Sequence, residues 1–306
     1  ACQYGLPVLP LYIVETDYWQ TPVASRRHWH FIHDCLTSLK TALRDLGQEL
    51  ITLSANDAVN ALNTLRHDVH IERIFAHEET GNDWTYQRDI RVRDWCKAHG
   101  ISLTEYPHNG VVRRLTSRDA WSKIRNSRMS QALIPAPTSI CSLPHPIKGN
   151  VLPSKQDPVF GAPLHGVVQT GGHAEAKRIL KRFLYTQARN YLFHISSPGA
   201  SETSCSRLST FLTYGVLSVR EVLHALDTRL LSMDDTEKKY FSRSLSAFRS
   251  RLSWRDHFIQ KIEDQPSIEY QCMHVGCERM RPRPGNADFL QAWEQGRTGY
   301  PIVDAC

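Results

Sequence analysis

The sequence has no apolar run long enough to cross a membrane and no segment typical of a cleavable signal peptide. We therefore predict no membrane association. Its eight cysteines lack the dense, even spacing of secreted disulfide-stabilised domains; they stand at positions 2, 35, 96, 141, 205, 272, 277 and 306. This scatter favours a reducing compartment, and we predict a cytoplasmic protein.

Common catalytic motifs are also missing. The chain contains no Walker phosphate loop, no GxSxG elbow and no HExxH pair, and it shows neither internal repeats nor low-complexity tracts. Cys272 and Cys277 lie close together, but a zinc or iron–sulfur site needs four ligands, and no second cysteine pair is present. We predict no metal.

The composition itself is that of an ordinary globular protein. The 306 residues are 41% hydrophobic and 22% charged, which is enough for two domains that each bury a core. The net charge is +6, from 37 Lys and Arg against 31 Asp and Glu. This charge permits a polyanionic partner without requiring one.

The first part of the chain alternates short apolar runs with longer amphipathic ones. The runs predict strands over 8–14, 50–53, 71–77 and 101–105. The amphipathic stretches predict helices over 27–46, 57–66 and 86–98. This alternation predicts an α/β domain with a doubly wound parallel sheet.

The pattern changes twice farther along. Seven prolines punctuate residues 135–163, which predicts a long connector over the surface. Beyond Gly172 every periodic segment is helical; the segments are 174–187, 206–214, 219–226, 236–263 and 287–294. We predict an α/β domain over residues 1–134, a connector over 135–172 and an all-α domain over 173–306.

Residues 205–218 place small hydroxyl side chains at the start of an apolar helical run. Free N–H groups and the positive end of the helix dipole make such a start suitable for phosphate. Alternatively, Ser206 and Ser209 only cap a helix.

Four strings together carry a family resemblance. They are Cys205–Ser218, Gly171-Gly172 before a helix, Trp254-Arg255, and the most specific one, Gly296-Arg297-Thr298-Gly299-Tyr300-Pro301-Ile302-Val303-Asp304-Ala305. In this order and spacing they closely resemble the FAD domain of the DNA photolyase/cryptochrome family. The resemblance implies that the chain is truncated at both ends, because similar proteins have a strand and an Arg-rich turn before Ala1 and further helices after Cys306.

The resemblance implies noncovalent FAD bound by the helical domain. Matched position by position, its cofactor-binding residues would be Tyr191, Cys205, Ser206, Leu208, Ser209 and Arg255. The family most often has Thr where Cys205 stands, so one hydroxyl donor is absent there. In the alternative reading, Tyr191 is a half-buried core tyrosine.

The resemblance places Trp254 in the wall of a cavity that receives flipped, damaged bases, where an indole offers a stacking face. Trp254 could equally be a core anchor. Pyrimidine-dimer photolyases carry a glutamate three residues before this tryptophan, whereas this chain has Arg251. A permanent cation reverses the hydrogen-bonding role of that position, so Trp254 and Arg251 are the catalytic candidates that decide the activity.

Basic residues around the same positions suggest a DNA surface. Arg249, Arg251 and Trp254 are the candidate DNA contacts, within a wider set that also contains Arg243, Arg255, Arg279, Arg281 and Arg283. The alternative is a solvated helix face and a Pro/Arg loop. We predict a monomer that acts on damaged DNA.

A second, antenna chromophore of the folate or deazaflavin type is a further implication of the resemblance. Residues 77–89 follow a strand end, where α/β folds bind ligands, although Trp84 and Tyr86 could be packing residues. The activity implied is photolyase repair of pyrimidine dimers, in which excited reduced FAD donates an electron. The alternative is a cryptochrome-like blue-light photoreceptor without repair activity.

Overall fold

A computed structural model describes residues 1–281 and 284–304. The chain falls into two compact units, residues 1–264 and the chain from Gln265 onward. The boundaries expected near residues 134 and 172 lie inside the first unit and stay a prediction.

The N-terminal part is α/β with parallel strands, as predicted. The strands are β1 (Leu11–Glu15), β2 (Ile51–Ala55), β3 (Arg73–His77) and β4 (Ser102–Tyr106). β1 pairs with β2 and β3 with β4, so the described strands form two two-stranded sheets instead of the single sheet expected. A cavity of about 890 Å³ is lined by residues of both sheets, among them Ile13 of β1 and Phe75 of β3.

Five helices belong to this part: α1 (Thr16–Trp19), α2 (Arg26–Asp45), α3 (Ala58–Asp68), α4 (Asp83–Ala98) and α5 (Trp121–Met129). Local sequence explains where two of them begin. The Asp57 side chain accepts a hydrogen bond from the Asn60 amide at 2.9 Å, and that of Asn82 accepts one from the Thr85 amide at 3.1 Å. Each satisfies one of the unpaired donors of a first helical turn.

The proline-rich connector lies against α2. The ring of Phe160 stacks on that of Trp29 with centroids 4.0 Å apart, and Trp29 Nε1 donates to the Ser154 carbonyl at 3.1 Å. Arg26 Nε donates to the Gly161 carbonyl at 3.1 Å, and Arg27 Nη1 donates to the Val167 carbonyl at 3.0 Å. These contacts hold the proline-rich segment against α2, and its role as a connector between domains stays a prediction.

Gly171 and Gly172 allow the helix that follows them, α6 (His173–Tyr185), to approach α2 closely. A Cβ on Gly171 would lie 2.4 Å from the Phe31 carbonyl oxygen, and Gly172 adopts φ +105°. The Gly172 amide contacts Cys35 Sγ at 3.2 Å. The glycine pair thus serves helix packing, where a side chain has no room.

The rest of the first unit is helical. Its helices are α6 (His173–Tyr185), α7 (Tyr191–His194), α8 (Pro198–Ser204), α9 (Ser209–Thr213), α10 (Val219–Ser232) and α11 (Asp235–Asp264). They enclose one core that includes Phe183, Phe211, Leu226 and Leu245. No helix within residues 1–281 and 284–304 is both long and apolar enough to span a membrane.

The second unit contains α12 (Ala287–Glu294) and α13 (Pro301–Asp304). The Asp304 carboxylate accepts hydrogen bonds from the Thr298 amide at 2.8 Å, the Thr298 hydroxyl at 2.5 Å and the Gly299 amide at 3.0 Å. These bonds lower the pKa of Asp304. The most specific string of the sequence is therefore a turn organised by its own aspartate; its last residue, Ala305, lies outside the described residues.

Candidate functional site

Arg255 joins α11 to the segment that contains the predicted phosphate contacts. Its Nη2 donates to the Leu212 carbonyl of α9 at 3.2 Å, and its Nη1 lies 3.7 Å from Asp256 Oδ1. The side chain is 22% exposed. Burial lowers the pKa of Arg255, and the charge of Asp256 opposes that shift. A partly exposed guanidinium of this kind suits an anionic group.

The serine-rich segment differs from its predicted form. α9 begins at Ser209, three residues later than expected, and contains only five residues. Arg207 before it adopts φ 55°, and the Leu208 side chain is buried in the core. Leu208 could therefore reach a cofactor only through its backbone, whereas Ser209 is exposed and Ser206 partly so.

A connector residue that the sequence did not single out holds this segment. Gln169 Nε2 donates to the Arg207 carbonyl at 2.8 Å, and Gln169 Oε1 accepts from the Thr210 hydroxyl at 2.9 Å. One amide therefore fixes both sides of the turn before α9. The partners are about forty positions apart, so no local pattern indicates them.

Tyr191 belongs to the hydrophobic core of the helical part, and Cys205 packs against the same core. Tyr191 is buried, and its ring meets the rings of Phe183 and Phe248 edge-on at 5.4 and 5.8 Å. Burial, with a smaller contribution from Cys205, raises the pKa of Tyr191 to about 12. Burial also raises the pKa of the Cys205 thiol. Both groups therefore remain neutral at physiological pH.

Trp254 and Arg251 form a stacked pair on the outer face of α11. The Arg251 guanidinium lies 4.7 Å from the centre of the Trp254 ring, a cation–π geometry. Trp254 is 52% exposed and Phe258 54%, with ring centroids 6.2 Å apart. Trp254 is consequently a surface aromatic in this unit and not the core anchor of the alternative reading.

The other basic candidates occupy several places. Arg249 forms an ion pair with Asp227 of α10, and Arg243 is exposed on α11. Arg279 and Arg281 belong to the second unit, and Arg283 lies outside the described residues.

The residues 77–89 considered for an antenna carry a charge network. Arg88 contacts three carboxylates: Glu15 at 3.0 Å, Glu79 at 3.3 Å and Asp89 at 2.9 Å. The Trp84 ring packs against that of Tyr18 at 5.1 Å, and Tyr86 is 40% exposed. Within the described part of the chain, no group of three or more His, Cys, Asp or Glu side chains could hold a metal ion.

A polar stripe on α11 was not predicted from the sequence. Asp256 and Gln260 are fully buried, and Asp264 follows one turn later. Their spacing of four residues places them on one helix face, roughly opposite the exposed face with Trp254. That spacing is visible in the sequence, but their partners are more than 130 positions away.

Comparison with known proteins decides the family. Residues 1–120 match the family model described as DNA photolyase, and residues 248–306 match the FAD binding domain of DNA photolyase. The chain belongs to the DNA photolyase/cryptochrome family. The predicted resemblance, including an FAD-binding domain, is confirmed.

Individual relatives include both branches of this photolyase/cryptochrome family. A deoxyribodipyrimidine photo-lyase of Halobacterium salinarum is 27% identical over 296 residues, which cover 90% of this chain and 58% of the relative. A class III photolyase structure from Agrobacterium tumefaciens has a TM-score of 0.78 at 21% identity, covering 99% of this chain and 62% of its own. A Synechocystis cryptochrome structure has the same TM-score at 17% identity, covering 99% and 65%. The chain thus spans about three fifths of the length of the proteins it matches.

Proposed function

We propose that this protein is a blue-light-dependent flavoprotein of the photolyase type, which repairs pyrimidine dimers in DNA. The observation that carries the proposal is the Trp254-Arg255 pair, which lies within the match to the FAD binding domain of DNA photolyase. Trp254 is exposed on α11, while Arg255 turns toward α9. One helix would then present a stacking surface to DNA and a cation to the cofactor.

The cofactor residues are Ser206, Ser209 and Arg255, with the backbone of Leu208, and with Tyr191 and Cys205 beside them. The hydroxyls and the guanidinium offer donors to a diphosphate, and their chemistry fits an anionic dinucleotide. FAD, when bound, supplies the light-driven electron transfer to the dimer. The protein binds, orients and shields it. A second antenna chromophore in the α/β domain of residues 1–134 belongs to the same proposal, with residues 135–172 as connector and 173–306 as FAD domain.

Trp254 would receive the damaged bases, because a dimer stacks poorly in the duplex and is less costly to extrude. Arg249 and Arg251 would contact DNA phosphates, which predicts salt-sensitive and sequence-independent affinity. In this proposal the protein acts as a cytoplasmic monomer.

Arg251 supports a second candidate, a cryptochrome-like photoreceptor without repair activity. Its guanidinium stacks on the Trp254 ring, at the position where pyrimidine-dimer photolyases carry a carboxylate. An arginine has no acceptor for the N–H groups of a pyrimidine dimer. Photoreduction of FAD would then alter partner contacts instead of DNA.

Light-dependent dimer removal separates the two candidates. The full-length protein with its flavin reduced would be mixed with ultraviolet-irradiated DNA and exposed to blue light, and a matched sample would stay dark. Loss of cyclobutane dimers only in the illuminated sample supports repair. Unchanged dimers in the presence of bound, reduced flavin would refute it and leave the photoreceptor.

A further inference from the structure

The carboxylate of Asp256 lies between two arginines from different parts of the first unit. Arg125 Nε of α5 donates to Asp256 Oδ2 at 2.7 Å. The other oxygen, Oδ1, lies 3.7 Å from Arg255 Nη1. Asp256 is completely buried, and the Arg125 side chain is only 6% exposed. A buried carboxylate therefore connects α5 to the proposed cofactor arginine.

Close packing around Gly110 and the contacts of the next helical turn fix the position of Asp256. A Cβ on Gly110 would lie 2.5 Å from Arg125 Cγ and 2.6 Å from Asp256 Oδ2, so only glycine leaves room for this pair. One turn along α11, Gln260 accepts a hydrogen bond from the Val112 amide at 2.7 Å and donates to the Val112 carbonyl at 2.9 Å. These two hydrogen bonds fix α11 against the segment that contains Gly110.

Arg255 has little else to hold it. Its Nη2 donates a hydrogen bond to the Leu212 carbonyl. Its Nη1 is buried and has no hydrogen-bond partner among the described residues, and the same is true of Asp256 Oδ1. Burial raises the pKa of Asp256, and the charges of Arg125 and Arg255 oppose that rise. A buried cation without a counter-charge moves toward water, because desolvation of an unpaired charge is unfavourable.

We propose that Asp256 is a positioning residue, which holds the inner edge of the Arg255 guanidinium so that its outer edge faces the anionic part of the cofactor. Arg125 and Gly110 place Asp256, so the α/β part sets the geometry of the flavin site. An arginine that is held before binding loses less side-chain entropy when the ligand arrives. The cofactor half of this inference depends on the proposed function, whereas the position of Arg255 does not.

The first test therefore needs no flavin. Phenylglyoxal modification of Arg255 in the apo full-length protein, followed by mass spectrometry, should be at least about threefold faster in Asp256→Asn than in wild type, because the guanidinium moves outward. Asp264→Asn is the matched control on the same stripe, since Asp264 pairs with Arg118 at 2.9 Å, and its rate should stay at the wild-type value. Equal rates in Asp256→Asn and wild type overturn the proposal.

The second test is a double-mutant cycle on FAD affinity. Asp256→Asn should weaken FAD binding about tenfold when Arg255 is present and less than about twofold in the Arg255→Gln background. Equal weakening in both backgrounds would show that Asp256 acts on the fold alone and overturns the proposal. If wild type binds no FAD while the modification test succeeds, the proposed function fails and the positioning of Arg255 stands. If Asp256→Asn does not fold, the charge-balanced Arg125→Gln/Asp256→Asn variant replaces it with the same expectations.

Discussion

Replacing Gly171 by alanine should separate α6 from α2. The added methyl group would lie 2.4 Å from the Phe31 carbonyl oxygen, 2.7 Å from Cys35 Sγ and 3.0 Å from Asp34 Cβ. A flexible side chain could change its rotamer and move aside, but a backbone carbonyl within the α2 helix cannot. The two helices must therefore shift, and overpacking of this kind destabilises by about 1–3 kcal/mol.

Gly199→Ala is the matched control. Gly199 lies in α8, and a Cβ there would meet nothing within 4 Å. Alanine favours a helix over glycine by up to about 1 kcal/mol, so this variant should be neutral or slightly stabilised. We expect Gly171→Ala to lose about 2 kcal/mol of unfolding free energy in urea titrations followed by circular dichroism.

Thermal unfolding should agree with the urea result. At about 2 cal/mol/K of unfolding entropy per residue, about 1 kcal/mol corresponds to about 1.5 °C for a chain of 306 residues, so Gly171→Ala should melt about 3 °C below wild type. Equal stability of the Gly171 and Gly199 variants would refute the close approach of α6 to α2.

Three further results are expected. Phe160→Ala should lose about 3 kcal/mol in urea unfolding because its buried ring stacks on α2, whereas Val167→Ala, 92% exposed in the same connector, should change stability by less than about 0.5 kcal/mol. Burial and the charge of a neighbouring histidine lower the pKa of His108 from 6.5 to about 4. Its contribution to the free energy of unfolding is therefore present above pH 6.5 and is lost as the pH falls toward 4. His108→Gln should lose less stability than wild type between pH 7 and 4.5, and an equal loss would contradict the shift. Trp254→Ala should weaken binding to dimer-containing DNA about tenfold in fluorescence anisotropy at fixed salt, while Tyr240→Ala on the same helix should not; equal effects would exclude a stacking role.

Local sequence patterns were sufficient for most of the secondary structure. The longest helix was predicted over 236–263 and spans Asp235–Asp264, and β3 was predicted over 71–77 and spans Arg73–His77. Strong periodicity and capping residues operate over a few positions, which explains this agreement. The short α9 was predicted from 206, but the left-handed Arg207 delays it to Ser209.

The contacts that build the candidate site could not be predicted in the same way. Arg255 was identified through the family resemblance, but its neighbours Asp256 and Arg125 were not. Arg125 is 131 positions from Asp256, and nothing in the residues around either one indicates the other. Gly110 appears in the sequence as an ordinary turn glycine, because its role depends on side chains from two distant helices.

The hydrogen bonds from α2 to the connector have an evolutionary consequence. Arg26, Arg27 and Trp29 all donate to main-chain carbonyls, and every amino acid supplies such an oxygen. Substitutions along the connector can therefore accumulate without breaking these bonds, provided that the backbone path and the ring of Phe160 are kept. We expect orthologues to diverge rapidly between Pro135 and Val168, apart from Phe160, while their α2 helices retain the three donors.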